Sequence, residues 1–215
     1  MTQLVDLGWD AKWAEAFEPW ASETGRQLDV QPGRIAIEFN HIYRVHLDGR
    51  EIDASVTGRM KHRAASRREF PAVGDWVAVR MQPDEDAGAI VGVLPRRSWF
   101  SRKMAGHVTD EQIVAANVDV VFLVMSLDAD FSIRRLERYL LLARESGARP
   151  VVLLTKPDLS EAVAGRVVEV SAMAGGVPVH VVNPRLNVGI DLVAGFLALG
   201  KTAALLGSSG VFPKA

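Results

Sequence analysis

Apolar and polar positions change period twice along this chain. Over Trp9 to Glu23, the residues Trp9, Trp13, Phe17 and Trp20 recur at four- and three-residue steps, which is one face of a short helix, interrupted near Pro19. That face is a docking surface for the rest of the protein or, alternatively, a stacking surface for a ligand. From Gly33 to Leu94 the period becomes two. "RIAIEF" alternates Ile35, Ile37 and Phe39, "YRVHL" alternates Tyr43, Val45 and Leu47, and Asp48-Gly49 turns the chain into "REIDASV". "VGDWVAVRM" and "GAIVGVL" supply two more short strands. About five strands with hairpin turns and no long helix predict a small closed or nearly closed β-barrel.

After "RRSWFSRK" the pattern changes again. "NVDVVFLVMS" (Asn117 to Ser126) is a continuous apolar run, as expected of a parallel strand buried on both faces. Ser132 is placed to cap the next helix, with Ile133, Leu136, Leu140 and Ala143 as its core stripe and Gly147 and Pro150 at its end. Strand "VVLLT", a helix from Ser160, strand "VPVHVV", a helix from about Gly189 to Leu199 and strand "TAALL" follow. Such alternation implies a parallel α/β sheet. The boundary between the two patterns falls near residues 95–103.

Composition narrows the class without naming a chemistry. The 215 residues suffice for one large or two modest domains. A net charge of −1 leaves any basic surface to be local. Cysteine is absent, which excludes disulfides and thiolate metal sites and suits a reducing cytoplasm. The first residues have no basic segment ahead of an apolar run, so no signal peptide is expected. No stretch approaches the ~18 uninterrupted apolar residues of a membrane span. The expectation is a cytoplasmic protein that does not enter a membrane.

Chemistry enters with Thr155-Lys156-Pro157-Asp158, directly after "VVLLT". Ligands of α/β sheets collect at the carboxyl ends of strands. An aspartate carboxylate accepts from the N1–H and exocyclic amine of guanine together, whereas adenine offers a lone pair at N1 and is repelled. The lysine stem can lie flat over the base. The other reading is a solvated turn between strand and helix; the preceding buried strand favours a base-reading loop.

"LLGSSGVFPKA" (Leu205 to Ala215) is an apolar strand entering a glycine-serine turn. Gly207, Ser208, Ser209, Gly210 and Val211 fit the start of a phosphate loop, G-x-x-x-x-G-K-[ST], whose backbone N–H groups cradle phosphate. Phe212 and Pro213 stand where that pattern needs Gly and Lys, and residues 212–215 read as a frayed tail. The lysine for the outer phosphates and the hydroxyl for Mg²⁺ have no counterpart. The base-reading loop precedes the phosphate turn, which is a circularly permuted order.

The chain closely resembles the ribosome small-subunit-dependent GTPase A family (RsgA, also called YjeQ or YloQ). The resemblance lies in "FPAVGDWVAV" (70–79), "EQIVAANVDVVFLV" (111–124), "DFSIRRLERYLLLARESGARPVVLLTKPDL" (130–159) and "LLGSSGV" (205–211), and covers nearly all of Leu7 to Val211. It implies an N-terminal OB-fold barrel and a partial, circularly permuted P-loop GTPase domain with a parallel sheet. With the patterns above, the expected division is a helical segment over 1–30, the barrel over 31–98 and the GTPase domain over 99–215. It also implies guanine contacts at Thr155, Lys156, Pro157, Asp158 and Asn183, with GTP or GDP as ligand. GTP hydrolysis stimulated by the small ribosomal subunit, and a role in late subunit maturation, complete the expectation. The partners would be that subunit and its rRNA, and the chain a monomer. Departures are plain: Thr155 stands for Asn, and Asn183-Pro184 for the second base-contacting loop, normally Ser-Ala. The G-K-[ST] continuation, the Mg²⁺ site, the D-x-x-G loop and the zinc-binding Cys/His domain have no counterpart. The sequence therefore reads as a truncated or frame-disrupted member, impaired in catalysis. The competing expectations are a non-catalytic rRNA-binding barrel with a vestigial nucleotide domain, or an inert gene fragment.

Two basic clusters bear on the partner. "GRMKHRAASRRE" carries Arg59, Lys61, Arg63, Arg67 and Arg68 between barrel strands, and Arg96, Arg97, Arg102 and Lys103 follow the barrel. They read as an RNA-binding face or as merely solvated loops. His41, His46, His62, His107 and His180 show no metal-ligand spacing on a common element.

Overall fold

The alternating segments become β1 (Val30–Phe39), β2 (Ile42–Leu47), β3 (Arg50–Val56), β4 (Trp76–Met81) and β5 (Ala87–Val93), closed into a barrel in the order β1-β2-β3-β5-β4. The computed structural model describes residues 2–22, 30–81, 87–103 and 111–208. Within the barrel only β3 and β5 pair parallel; the other neighbours are antiparallel. This is the OB arrangement. Inward-facing Ile35, Tyr43, Val45, Leu47, Ile52, Val77, Val79 and Ile90 form its core. Burial around the Tyr43 phenol, which penalises the phenolate, pushes its pKa up to about 12.

The aromatic stripe of the first segment docks on this barrel. Helix α1 (Ala11–Ser22) is started by Asp10, whose Oδ1 accepts the Trp13 N–H at 3.0 Å. Trp9, Trp13, Phe17 and Trp20 join Trp76 and Leu94 in one apolar cluster. Gly92 makes the fit possible, because a Cβ there would stand 2.1 Å from the Trp20 ring. The helix runs through Pro19 rather than stopping at it. A proline near the C-terminus removes one late hydrogen bond, and docking of the following Trp20 offsets that loss.

A short helix α2 (Gly58–Arg63), capped by Thr57, connects β3 towards β4. The hairpin of β6 (Trp99–Lys103) and β7 (Glu111–Ala116) packs Trp99 and Ile113 with Ala72 and Ala116. It therefore belongs with the barrel, in a first unit of Met1–Asn117, although the sequence pattern grouped residues from 99 onward with the sheet. The reason is Asn117: in left-handed backbone (φ 54), its amide donates to Gly74 O at 3.1 Å and accepts from the Arg97 N–H at 2.9 Å.

The second unit, Val118–Ala215, contains β8 (Val120–Ser126), α3 (Ile133–Ser146), β9 (Arg149–Thr155), α4 (Val163–Ala174), β10 (Val179–Val182), α5 (Ile190–Ala194) and β11 (Ala203–Gly207). Its sheet is parallel throughout, in the order β10-β9-β8-β11. Every residue of β8 is buried, as its unbroken apolar run predicts. β11 lies at the end of the sheet among the described strands, with Leu205 62% exposed. Two helices differ from expectation. α4 begins at Val163 because a 3-10 turn, Pro157–Leu159, follows β9 first, and α5 stops at Ala194 with Gly195 as its cap. Ser132 occupies the position before α3, but its side chain makes no cap; its backbone carbonyl accepts from Arg135 and Leu136 N–H. Among the described residues no helix is long and apolar enough to cross a membrane.

Candidate functional site

Parallel pairing brings the motif residues to one end of the sheet. Ser126 ends β8 beside Thr155 at the end of β9; Thr155 in turn pairs with Val182, and Gly207 at the end of β11 pairs with Val124. The loops after all four strands thus emerge at the carboxyl edge, where α/β sheets bind ligands. By strand spacing, β9 and β11 stand roughly 10 Å apart across β8.

The loop after β9 is held in an unusual backbone state. Lys156 has φ 56 and ψ 49, a left-handed conformation that costs a non-glycine residue roughly 1–2 kcal/mol. Leu159 N–H donates to Lys156 O at 3.1 Å, and Pro157 pre-sets the first position of the turn. The twist aims the lysine at the neighbouring strand: Nζ donates to Asp128 Oδ2 at 2.8 Å. Asp128 Oδ1 also accepts the Ser126 hydroxyl at 2.6 Å and the Asp130 N–H at 2.9 Å. These donors, Lys156 foremost, hold the Asp128 carboxyl well below the usual carboxylate range.

On the other side of β9, Asn183 Nδ2 donates to Asp158 Oδ1 at 2.9 Å. Asn183 is itself buried and pinned, since its N–H and C=O both pair with Val188 to close the loop around a 3-10 turn, Pro184–Leu186. Gly189 permits that closure: it has φ 74, and a Cβ would stand 2.7 Å from Val181 O. Asp158 remains exposed. Each carboxylate oxygen has two lone pairs, so Asp158 can accept two N–H groups of a purine while keeping Asn183. Thr155 contributes through its backbone, whose carbonyl accepts the Leu127 N–H at 2.8 Å. Its hydroxyl is buried with no hydrogen-bond partner.

At the phosphate turn, Gly207 ends β11 and the Ser208 hydroxyl donates to Asp130 Oδ2. Ser209, Gly210 and Val211 lie outside the described residues. Among the described residues, the donor set at this turn does not suit a magnesium ion. Asp128 is taken by Lys156 and Ser126, Asp130 by Ser208 and Arg135, and no group of three or more acidic or histidine side chains among the described residues could hold a metal.

The barrel unit has a separate basic region. Arg59, Arg63, Arg68, Arg80 and Arg96 line a groove of about 930 Å³ with Trp20 and Trp99. Arg80 was not legible as part of either sequence cluster, because it reaches the groove from a barrel strand. The candidates divide sharply. Arg96 donates to both oxygens of buried Asp75 (2.8 and 2.6 Å) and to the carbonyls of Arg68 and Phe70, so its guanidinium is consumed. Arg97 is bidentate to Asp10 (2.8 and 2.7 Å) and lies over Trp13 at 4.1 Å. Arg67 lines a smaller cavity with Tyr43 and Phe70. Arg68 faces Glu111 at 3.7 Å. Arg59, Lys61 and Arg63 project from α2 into solvent with no ion pair among the described residues.

A family model described as RsgA GTPase matches residues 93–212. The chain is 46% identical over 215 residues to the small ribosomal subunit biogenesis GTPase RsgA of Opitutus terrae, covering 96% of this chain and 57% of that protein. It is 38% identical to the protein of the same description from Methanosarcina acetivorans, covering 95% and 53%. The chain thus spans about half the length of the curated relatives it matches. Among solved structures, YjeQ from Thermotoga maritima superposes with a TM-score of 0.67 at 24% identity, covering 85% of this chain and 62% of that one. YloQ, a circularly permuted GTPase, gives 0.62 at 21%, covering 87% and 63%. The barrel and parallel sheet are therefore the fold of those permuted proteins.

Proposed function

The chain belongs to the RsgA GTPase family, and from that premise we propose that it binds guanine nucleotide at the carboxyl edge of its sheet and the small ribosomal subunit through its barrel. The observation that carries the first half is the exposed Asp158 carboxylate, fixed by Asn183 at 2.9 Å and set beside a lysine in strained backbone. Asp158 reads the base edge, the Lys156 stem covers the base face, and the Gly207 turn lies where the phosphates leave. The family reaction is GTP + H₂O to GDP + phosphate. The share of it that the described residues support is recognition of the base, through Asp158 and Lys156.

The second half rests on the relatives' description together with the groove. Arg59, Arg63 and Arg80 line one groove together with Trp20 and Trp99, a combination that suits single-stranded RNA: phosphates against charge, bases against rings. Cytoplasmic location follows from that partner, and a monomer suffices for it.

Calorimetric titration tests the base reading. The chain binds GDP and not ADP, and Asp158→Ala weakens GDP about 10- to 100-fold, the loss of hydrogen bonds to a charged group. Equal binding of ADP and GDP by the unaltered chain would sink it.

A further inference from the structure

Residues 126–130, at the end of β8 and in the loop towards α3, were assigned no binding role by the sequence, yet they touch both halves of the proposed site. Asp128 takes the ammonium of Lys156, and two residues later Asp130 takes the hydroxyl of Ser208. The Asp128 carboxylate is not a casual surface acceptor. Its Oδ1 is clamped by the Ser126 hydroxyl at 2.6 Å and the Asp130 N–H at 2.9 Å, which leaves Oδ2 aimed at Lys156 at 2.8 Å. The loop itself is anchored: Arg166 donates to Leu127 O and stacks over Phe131 at 4.6 Å, and Leu127 N–H donates to Thr155 O at 2.8 Å.

The two base-contacting residues of the β9 loop are thus tethered in opposite directions. Asp158 is held from the β10 side by Asn183, and Lys156 from the β8 side by Asp128. A lysine stem has four rotatable bonds, and most of its freedom must be lost before it can cover a flat ring. An ammonium fixed beyond the ring site removes that freedom in advance, so less is lost on binding. The side chains are 35% and 23% exposed, open enough to leave the stem accessible to a ligand.

The geometry points to Asp128 as the positioning residue of Lys156, one that preorganises its stem across the purine face. This rests on the guanine reading of the site. Asp128 touches no base atom; it acts through Lys156, so its removal weakens all purines alike, whereas removal of Asp158 falls hardest on guanine.

The experiment titrates the full 215-residue chain with guanosine and with inosine, which lacks the exocyclic amine. Asp128→Ala is expected to weaken both by the same factor, about tenfold, and Asp128→Asn by less, because the amide oxygen still accepts a hydrogen bond. Asp158→Ala should weaken guanosine more than inosine. In a double-mutant cycle, Asp128→Ala added to Lys156→Ala causes no further loss. Thermal melts of each variant separate misfolding from lost positioning, and the Asn variant, nearly isosteric, keeps the test alive if the Ala variant melts early. Guanosine binding unchanged in both Asp128 variants, or full additivity with Lys156→Ala, overturns the positioning role while leaving guanine recognition standing. Failure of the unaltered chain to bind guanosine or GDP overturns both.

Discussion

Among the described residues, each unit of the chain has a close ion pair that fixes a loop, Arg96–Asp75 in the first and Lys156–Asp128 in the second, and these two sit in opposite surroundings. In the barrel unit, Arg96 and Asp75 meet at 2.6 Å with side chains only 14% and 0% exposed. In the sheet unit, Lys156 and Asp128 meet at 2.8 Å with 35% and 23% exposed. Burial pushes the Asp75 carboxyl up, although Arg96 and the Ala72 N–H pull it back; the half-open Asp128 is held down by its donors. The same chemistry therefore does two jobs. A buried pair whose donors also satisfy the Arg68 and Phe70 carbonyls locks the 66–70 loop to the barrel, whereas a half-open pair at a strand end leaves its lysine stem accessible.

The largest expected effect breaks the buried pair. Asp75→Ala strands the Arg96 guanidinium in a dry site and costs about 3–5 kcal/mol of barrel stability. Denaturant melts followed by tryptophan fluorescence report it directly, since Trp76 adjoins Asp75 in sequence and is buried. Asp128→Ala, at a half-open site, should cost under about 1 kcal/mol in the same experiment. Comparable losses would mean that exposure does not separate the two pairs.

The same contrast divides the arginines. Arg59→Ala and Arg63→Ala remove charges that face solvent. Each should leave the melt unchanged, weaken binding of a single-stranded RNA probe whatever its sequence, and lower the salt slope by about 1. Arg96→Ala should instead lower the melting temperature. An RNA loss with Arg96→Ala at full stability, or none with the α2 variants, would reverse the assignment of structural and binding roles.

What the sequence disclosed follows from how local each feature is. The fully buried strand β8 and the Thr155–Asp158 loop are contiguous, so an apolar run and a four-residue motif sufficed to place them. Asp128 and Arg80 join the candidate sites only through strand pairing and barrel closure, which juxtapose residues far apart in the chain. Asn183 was named only through the family resemblance, in a loop that departs from the family's Ser-Ala, and its donation to Asp158 depends on β10 lying beside β9. Charge alone grouped Arg96 and Arg97 with the α2 basics. Only the partners, Asp75 and Asp10, reveal that both guanidiniums are already committed.

The smallest expected effect concerns that second committed arginine and runs with pH. Arg97 donates to both oxygens of Asp10 and holds its carboxyl down at about 2, below the ordinary 3.8. A carboxyl depressed on folding contributes stability that is present above its unfolded value and is lost as pH falls through the folded one. The window is therefore pH 4 down to about 2. The side chains are 44% and 48% exposed, so solvent screening keeps the contribution below about 1 kcal/mol. Asp10 also caps α1 through the Trp13 N–H, which makes the acid step a loosening of that helix rather than of the barrel. Far-ultraviolet dichroism across this window should show early loss of helix. Asp10→Asn keeps a cap acceptor but has no titrating group, and should flatten that part of the profile while being slightly less stable at neutral pH. An unchanged acid profile in the Asn variant would assign the step to another carboxylate and leave the Arg97–Asp10 contact as geometry without linkage.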